Sequence, residues 1–143
     1  AKLARAAAGY VRPRVESPME TRVRMLFVLA GFPEPVINVE VLDEAGHVRY
    51  RIDLAWPDVR VAVEYDGRHH ITRETQWVAD LRRREALEAD GWRFIVLTAT
   101  DIYGTPEATL DRAATLLAAR GIRLRHRRTD WAAHFPSRRD ATA

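Results

Sequence analysis

Val61-Ala62-Val63-Glu64-Tyr65-Asp66-Gly67-Arg68-His69-His70 is the stretch on which the reading of this chain turns. An apolar strand ends in two carboxylates two positions apart, then breaks at a glycine into paired histidines. Side chains alternate across a strand, so Glu64 and Asp66 share a face. Two acids and an imidazole gathered at one strand end can hold a divalent cation.

Working outward, two more strands precede this one. Val36–Leu42 places Val39 and Val41 on one face. A turn follows at Asp43-Glu44-Ala45-Gly46. His47–Trp56 alternates, with Val48, Tyr50, Ile52, Leu54 and Trp56 opposite Arg49, Arg51, Asp53 and Ala55. Pro57-Asp58 reads as a two-residue turn into Val59–Asp66, giving an antiparallel meander with one buried face. That turn sets Asp53 opposite Ala62 and Arg51 opposite Glu64. Asp53 and Glu64 are then diagonal neighbours, roughly 7–8 Å apart at the backbone. Two such carboxylates suit an oxygen-ligated cation such as Mg²⁺ or Mn²⁺. A solvated face, with Arg49, Arg51 and Arg60 balancing the acids, explains the same alternation.

Helices surround the meander. Ser17-Pro18-Met19-Glu20 is a helix start with a capping box, and Val23, Leu26, Phe27 and Ala30 form its apolar face up to Gly31. A second helix runs from about Arg73 to Asp90 and stops at Gly91. At about 100° per residue, Asp80 and Arg84 fall within the arc set by Trp77, Val78, Leu81 and Leu87, with Arg83 at its edge. Charges on a buried stripe are costly unless paired or functional. An ion pair of Asp80 with Arg84 or Arg83 is the plain account. The sharper one turns this helix end toward Glu64, Asp66 and His70. Trp92–Thr98 is a near-continuous apolar strand, expected to pair in parallel after the helical crossover. Thr105-Pro106-Glu107 caps a last helix ending at Gly121. The order α-β-β-β-α-β-α is an α/β fold, a mixed sheet flanked by helices. The domain spans 17–121. Residues 1–16 read as a linker or the tail of an upstream domain, and 122–143 as a loosely ordered arginine-rich tail.

Composition narrows the class. The chain has 143 residues, a net charge of +3 and no cysteine, so disulfides and thiolate metal sites are excluded. Its basicity is almost all arginine, the better bidentate partner of phosphate. No apolar run is long enough to span a membrane and no secretory signal is visible, so a cytoplasmic setting is expected. Adjacent His69 and His70 point apart on extended chain, and no His-Glu-x-x-His helix is present, which argues against a zinc hydrolase.

The ordered set Asp53, Glu64-Tyr65-Asp66-Gly67-x-x-His70 and Asp80-x-x-Arg83-x-x-x-Leu87-x-x-x-Gly91-Trp92 resembles a family of small endonuclease-like domains. These are related to the very-short-patch-repair endonucleases of the PD-(D/E)xK nuclease superfamily, whose restriction-endonuclease-like core runs α-β-β-β-α-β. The resemblance covers about residues 17–120. It implies that Asp53 and Glu64 bind the metal, and that Asp80 and Arg83 orient His70 or the phosphate. Asp66 stands where the superfamily motif usually has lysine. Either His70 replaces that lysine as general base or Asp66 is a further metal ligand. Glu20 matches an acid that approaches the metal in such domains, although its capping box explains it equally well. Arg68 and His69 are expected to face DNA or solvent. An upstream winged-helix, antitoxin-like domain is the partner the resemblance implies.

The expected activity is Mg²⁺- or Mn²⁺-dependent hydrolysis of DNA phosphodiesters. His70 or a metal hydroxide handles the proton, and Arg83 or Arg84 offsets developing charge. Arg49, Arg51, Arg60 and the tail arginines supply backbone affinity without sequence reading. The alternative is a catalytically inactive DNA-binding or regulatory module of the same fold.

Overall fold

A computed structural model describes residues 16–67 and 73–136. Arg68, His69 and His70 therefore lie outside the described residues, as do 1–15 and 137–143. Helix α1 (Pro18–Leu29) starts as the sequence dictates. The Glu20 N–H donates to Ser17 Oγ at 3.2 Å, and the Ser17 N–H donates to Glu20 Oε2 at 3.3 Å. The helix ends at Gly31, whose φ of 87° favours glycine. A Cβ there would lie 2.9 Å from the His126 carbonyl oxygen.

Strands β1 (Val36–Leu42), β2 (Val48–Trp56), β3 (Val61–Tyr65) and β4 (Arg93–Leu97) form one sheet in the order β1-β2-β3-β4. The first three pair antiparallel, and β4 pairs parallel to β3, as the intervening helix requires. Helix α2 (Glu74–Ala89) makes that crossover. A short helix α3 (Ala99–Tyr103), absent from the sequence reading, precedes α4 (Pro106–Ala119). Thr105 occupies the N-cap of α4 but makes no side-chain capping bond, contrary to expectation. Thr109, one turn inside, instead donates its hydroxyl to the Asp101 and Thr105 carbonyls.

The meander is not a one-faced sheet. Helices α1, α3 and α4 cover one face with a large apolar cluster that includes Leu26, Phe27, Leu54, Trp56, Val61, Val63, Ile95, Leu97, Leu110 and Leu117. Helix α2 covers the other through Leu87, which packs with Val39, Val41, Ile52, Ala55, Ala62 and Trp92. The alternation of β2 slips at Asp53, because Leu54 and Trp56 belong to the first cluster and Ile52 to the second. Across the sheet at the corresponding position of β1 is Asn38, with a left-handed φ of 52°. Asparagine tolerates that conformation, and the outer part of the β1–β2 ribbon turns toward α2 as a result.

The chain after Gly121 is also better anchored than its charge suggests. Trp131 and Phe135 join the first core cluster, and the Arg128 N–H donates to the Ala30 carbonyl. The expectation of a loose tail fails for residues 122–136, because those aromatics outweigh the solvation of the arginines between them. Among the described residues no helix is long and apolar enough to cross a membrane.

Candidate active site

Strand pairing sets the relation between the two principal acids. The observed register pairs Leu54 with Val63, Ala55 with Ala62 and Trp56 with Val61. The pairing ends at Leu54 and Val63, one residue short of Asp53 and Glu64, and it is offset by two positions from the expected pairing of Asp53 with Ala62. The difference comes from the connection. In place of a two-residue turn, Pro57–Val59 forms a 3-10 turn and Arg60 adopts a left-handed φ of 53°. Alternation from Ala62 puts Glu64 on the face toward α2, where its arginine partners lie.

Glu64 is the centre of the arrangement. Its side chain is 22% exposed and both oxygens are taken. Arg83 Nη1 donates to Oε1 at 2.6 Å, and Arg84 Nη2 donates to Oε2 at 3.1 Å. Arg83 also donates Nη2 to the Arg51 carbonyl at 2.6 Å, so it straps α2 to both β2 and β3. The Arg84 guanidinium carbon lies 5.6 Å from the centre of the Phe94 ring, and its Nε is buried with no hydrogen-bond partner. Two neighbouring residues on one helix thus converge on a single carboxylate. That concentrates positive charge at the strand end, where an anion can be received.

Asp66 lies just beyond β3. Its N–H donates to the Leu97 carbonyl at 2.7 Å, which carries the parallel pairing one step further. Gly67 follows in a tight fit, since a Cβ there would lie 3.0 Å from the Tyr65 ring. Glu20 is held in the capping box described above.

Other anticipated residues sit differently. Trp77, Val78 and Leu81 are 42%, 41% and 42% exposed, so the first turns of α2 are not a buried stripe. Asp80 is exposed with them, and the arginines expected to pair with it go to Glu64 instead. Leu87 alone is buried on this helix. The sheet beneath α2 offers small alanines at Ala55 and Ala62, and they admit one leucine rather than a full apolar stripe. Arg60 does not stand beside Glu64. It lies at the other end of β3 and donates Nη1 to the Asp90 carbonyl at 3.0 Å, where it satisfies the C-terminus of α2. Arg51 sits 3.7 Å from Glu40, an acid only 5% exposed that sequence reasoning overlooked. The available signal was its strand position opposite Arg51. Arg49 is exposed and lies over the neighbouring Tyr50 ring.

Among the described residues no three His, Cys, Asp or Glu side chains converge closely enough to hold a metal ion. The pair that could contribute is Asp53 and Glu64. Both are hard oxygen donors, of the kind Mg²⁺ takes one or two at a time while keeping water in its remaining positions. That donor chemistry suits a hard divalent cation, but both Glu64 oxygens are engaged by arginine and one must be released to reach it.

Comparison with known proteins agrees with this architecture. The REase_MTES_1575 family of restriction-endonuclease-like domains matches residues 37–117, more than half of the chain and all four strands. Two relatives from Mycobacterium tuberculosis, uncharacterized protein MT2308 of strain CDC 1551 and uncharacterized protein Rv2248 of strain H37Rv, are each 28% identical over 111 residues. Those alignments take in 78% of this chain but only 41% of the relatives, so the chain spans about two fifths of their length. No solved structure matches at a significant level.

Proposed function

The chain belongs to the REase_MTES_1575 family of restriction-endonuclease-like domains, and we propose that it is a metal-dependent endonuclease acting on DNA. The observation that carries this reading is Glu64 at the end of β3, on the strand next to that of Asp53 and held by two arginines of α2. A bound Mg²⁺ or Mn²⁺ would supply a polarised phosphoryl oxygen and an acidified water. Asp53 and Glu64 would hold the ion, with Asp66 as a further oxygen donor and Glu20 as a reserve acid near the helix start. Arg83 and Arg84 would orient the scissile phosphate and offset charge as the bond breaks. His70 would accept the proton of the attacking water, in place of the lysine that PD-(D/E)xK nucleases carry two positions after the acid. Asp80 would help to orient His70. Arg49, Arg51, Arg68 and His69 would contact the DNA backbone, and an upstream winged-helix domain would bring the site to its target.

Cleavage of supercoiled and single-stranded DNA, with Mg²⁺ or Mn²⁺ against chelator, tests the proposal. Metal-dependent cleavage that falls roughly a hundredfold in both Asp53→Ala and Glu64→Ala supports it. Binding without cleavage under every metal favours the inactive DNA-binding module. The double engagement of Glu64 by arginine is the specific observation on that side.

A further inference from the structure

Glu64 has two oxygens and two guanidinium partners, and the partners are not equivalent. Arg83 makes two short hydrogen bonds, one to Glu64 and one to the Arg51 carbonyl. To leave, it would have to break the strap between α2 and two strands. Arg84 makes a single, longer bond of 3.1 Å to the carboxylate. Its Nε has no partner, and its side chain also lines an open groove of about 420 Å³ on the outer face of α2, with Val78, Leu81, Arg82, Glu85 and Glu88. Leaving costs Arg84 one hydrogen bond and its position over the Phe94 ring, against two short hydrogen bonds for Arg83, and the groove gives it somewhere to go.

We infer that Arg84 is an exchangeable counter-cation of Glu64, displaced by a divalent cation and then free to take a phosphate oxygen. The inference rests on the endonuclease reading, because it assumes an ion at Glu64. Its physical basis is electrostatic. Two guanidinium groups on one carboxylate oppose the entry of a doubly charged ion at Glu64. Moving Arg84 off the carboxylate frees Oε2 while Arg83 keeps Oε1. An arriving phosphodiester then compensates the charge of the displaced arginine. Metal and phosphate binding are consequently coupled, and by linkage each raises the affinity of the site for the other. The unpartnered Nε supplies a second donor for that phosphate, which the contact with Glu64 leaves unused.

Calorimetric titration with Mn²⁺ separates the possibilities. Arg84→Gln is expected to bind Mn²⁺ roughly three- to tenfold more tightly than wild type in the absence of DNA, because the competing cation is gone. Arg84→Lys, which keeps a cation on a flexible stem, is expected to stay within about twofold of wild type. Binding of a fluorescent duplex, compared with and without Ca²⁺, should be stimulated by the ion in wild type and much less so in Arg84→Gln. Unchanged or weaker Mn²⁺ affinity in Arg84→Gln overturns the exchange while leaving the endonuclease reading intact, as does equal affinity in the lysine and glutamine variants. If wild type and Arg84→Gln both fail to bind Mn²⁺, or Glu64→Gln binds it as well as wild type, the ion is not at Glu64 and both readings fall. Circular dichroism of each variant confirms that the fold survives.

Discussion

Beneath α1, α3 and α4, the sheet presents Leu54, Trp56, Val61, Val63, Ile95 and Leu97 to a cluster that also contains Phe27 and Phe32. The Phe27 and Trp56 rings meet edge to face at 5.0 Å, and Trp56 Nε1 donates to the Pro33 carbonyl at 2.8 Å. Beneath α2, a smaller apolar cluster of Val39, Val41, Ile52, Ala55, Ala62 and Trp92 meets one buried leucine of the helix, and Arg83, Arg84 and Arg60 add charged contacts. The first face derives its stability from area removed from water, which needs no particular orientation. The second adds directed contacts of charge with carboxylate and carbonyl. The acids occupy the face that carries less of the core, so changes of charge there need not unfold the domain.

The largest expected effect is on the apolar face. Phe27→Ala removes the ring at the centre of the aromatic cluster and is expected to cost about 3–5 kcal/mol in urea denaturation. A loss below about 1 kcal/mol would break the contrast. Leu87→Ala should cost about 2–3 kcal/mol, toward the low end for buried leucine, since α2 can settle on the facing alanines. A cost equal to that of Phe27→Ala would show that α2 is held by its apolar contact after all. Glu16 gives a smaller, pH-dependent effect. The hydrogen bond from Arg24 holds its carboxyl below the ordinary value of 4.5 despite the opposing influence of burial. Its folded pKa is depressed, so its contribution is complete above about pH 4.5 and is lost as pH falls through the folded value. Glu16→Gln should therefore cost about 1 kcal/mol at neutral pH and progressively less in acid. The smallest effect is at Trp77, where Trp77→Ser should change stability by less than about 0.5 kcal/mol because the ring is exposed. A larger loss would mean that the outer face of α2 is covered in solution.

The amino-acid sequence by itself determined the four strands, the three long helices, their order, the parallel pairing of β4 and the cap of α1, but not the short helix α3. Each follows from local patterning: alternation of valines, a Ser-Pro-x-Glu start, a glycine after each long helix. It also brought Asp53 and Glu64 to adjacent strands. Tertiary structure alone decided the register of β2 on β3, because a 3-10 turn and the left-handed Arg60 lengthen the connection. It also decided which arginines meet Glu64. Helical angles put Asp80 and Arg84 on one stripe, but which stripe is buried depends on what the sheet offers beneath it. Leu87 packs into the cluster on this face of the sheet, Arg83 and Arg84 meet the carboxylate, and Asp80 stays exposed.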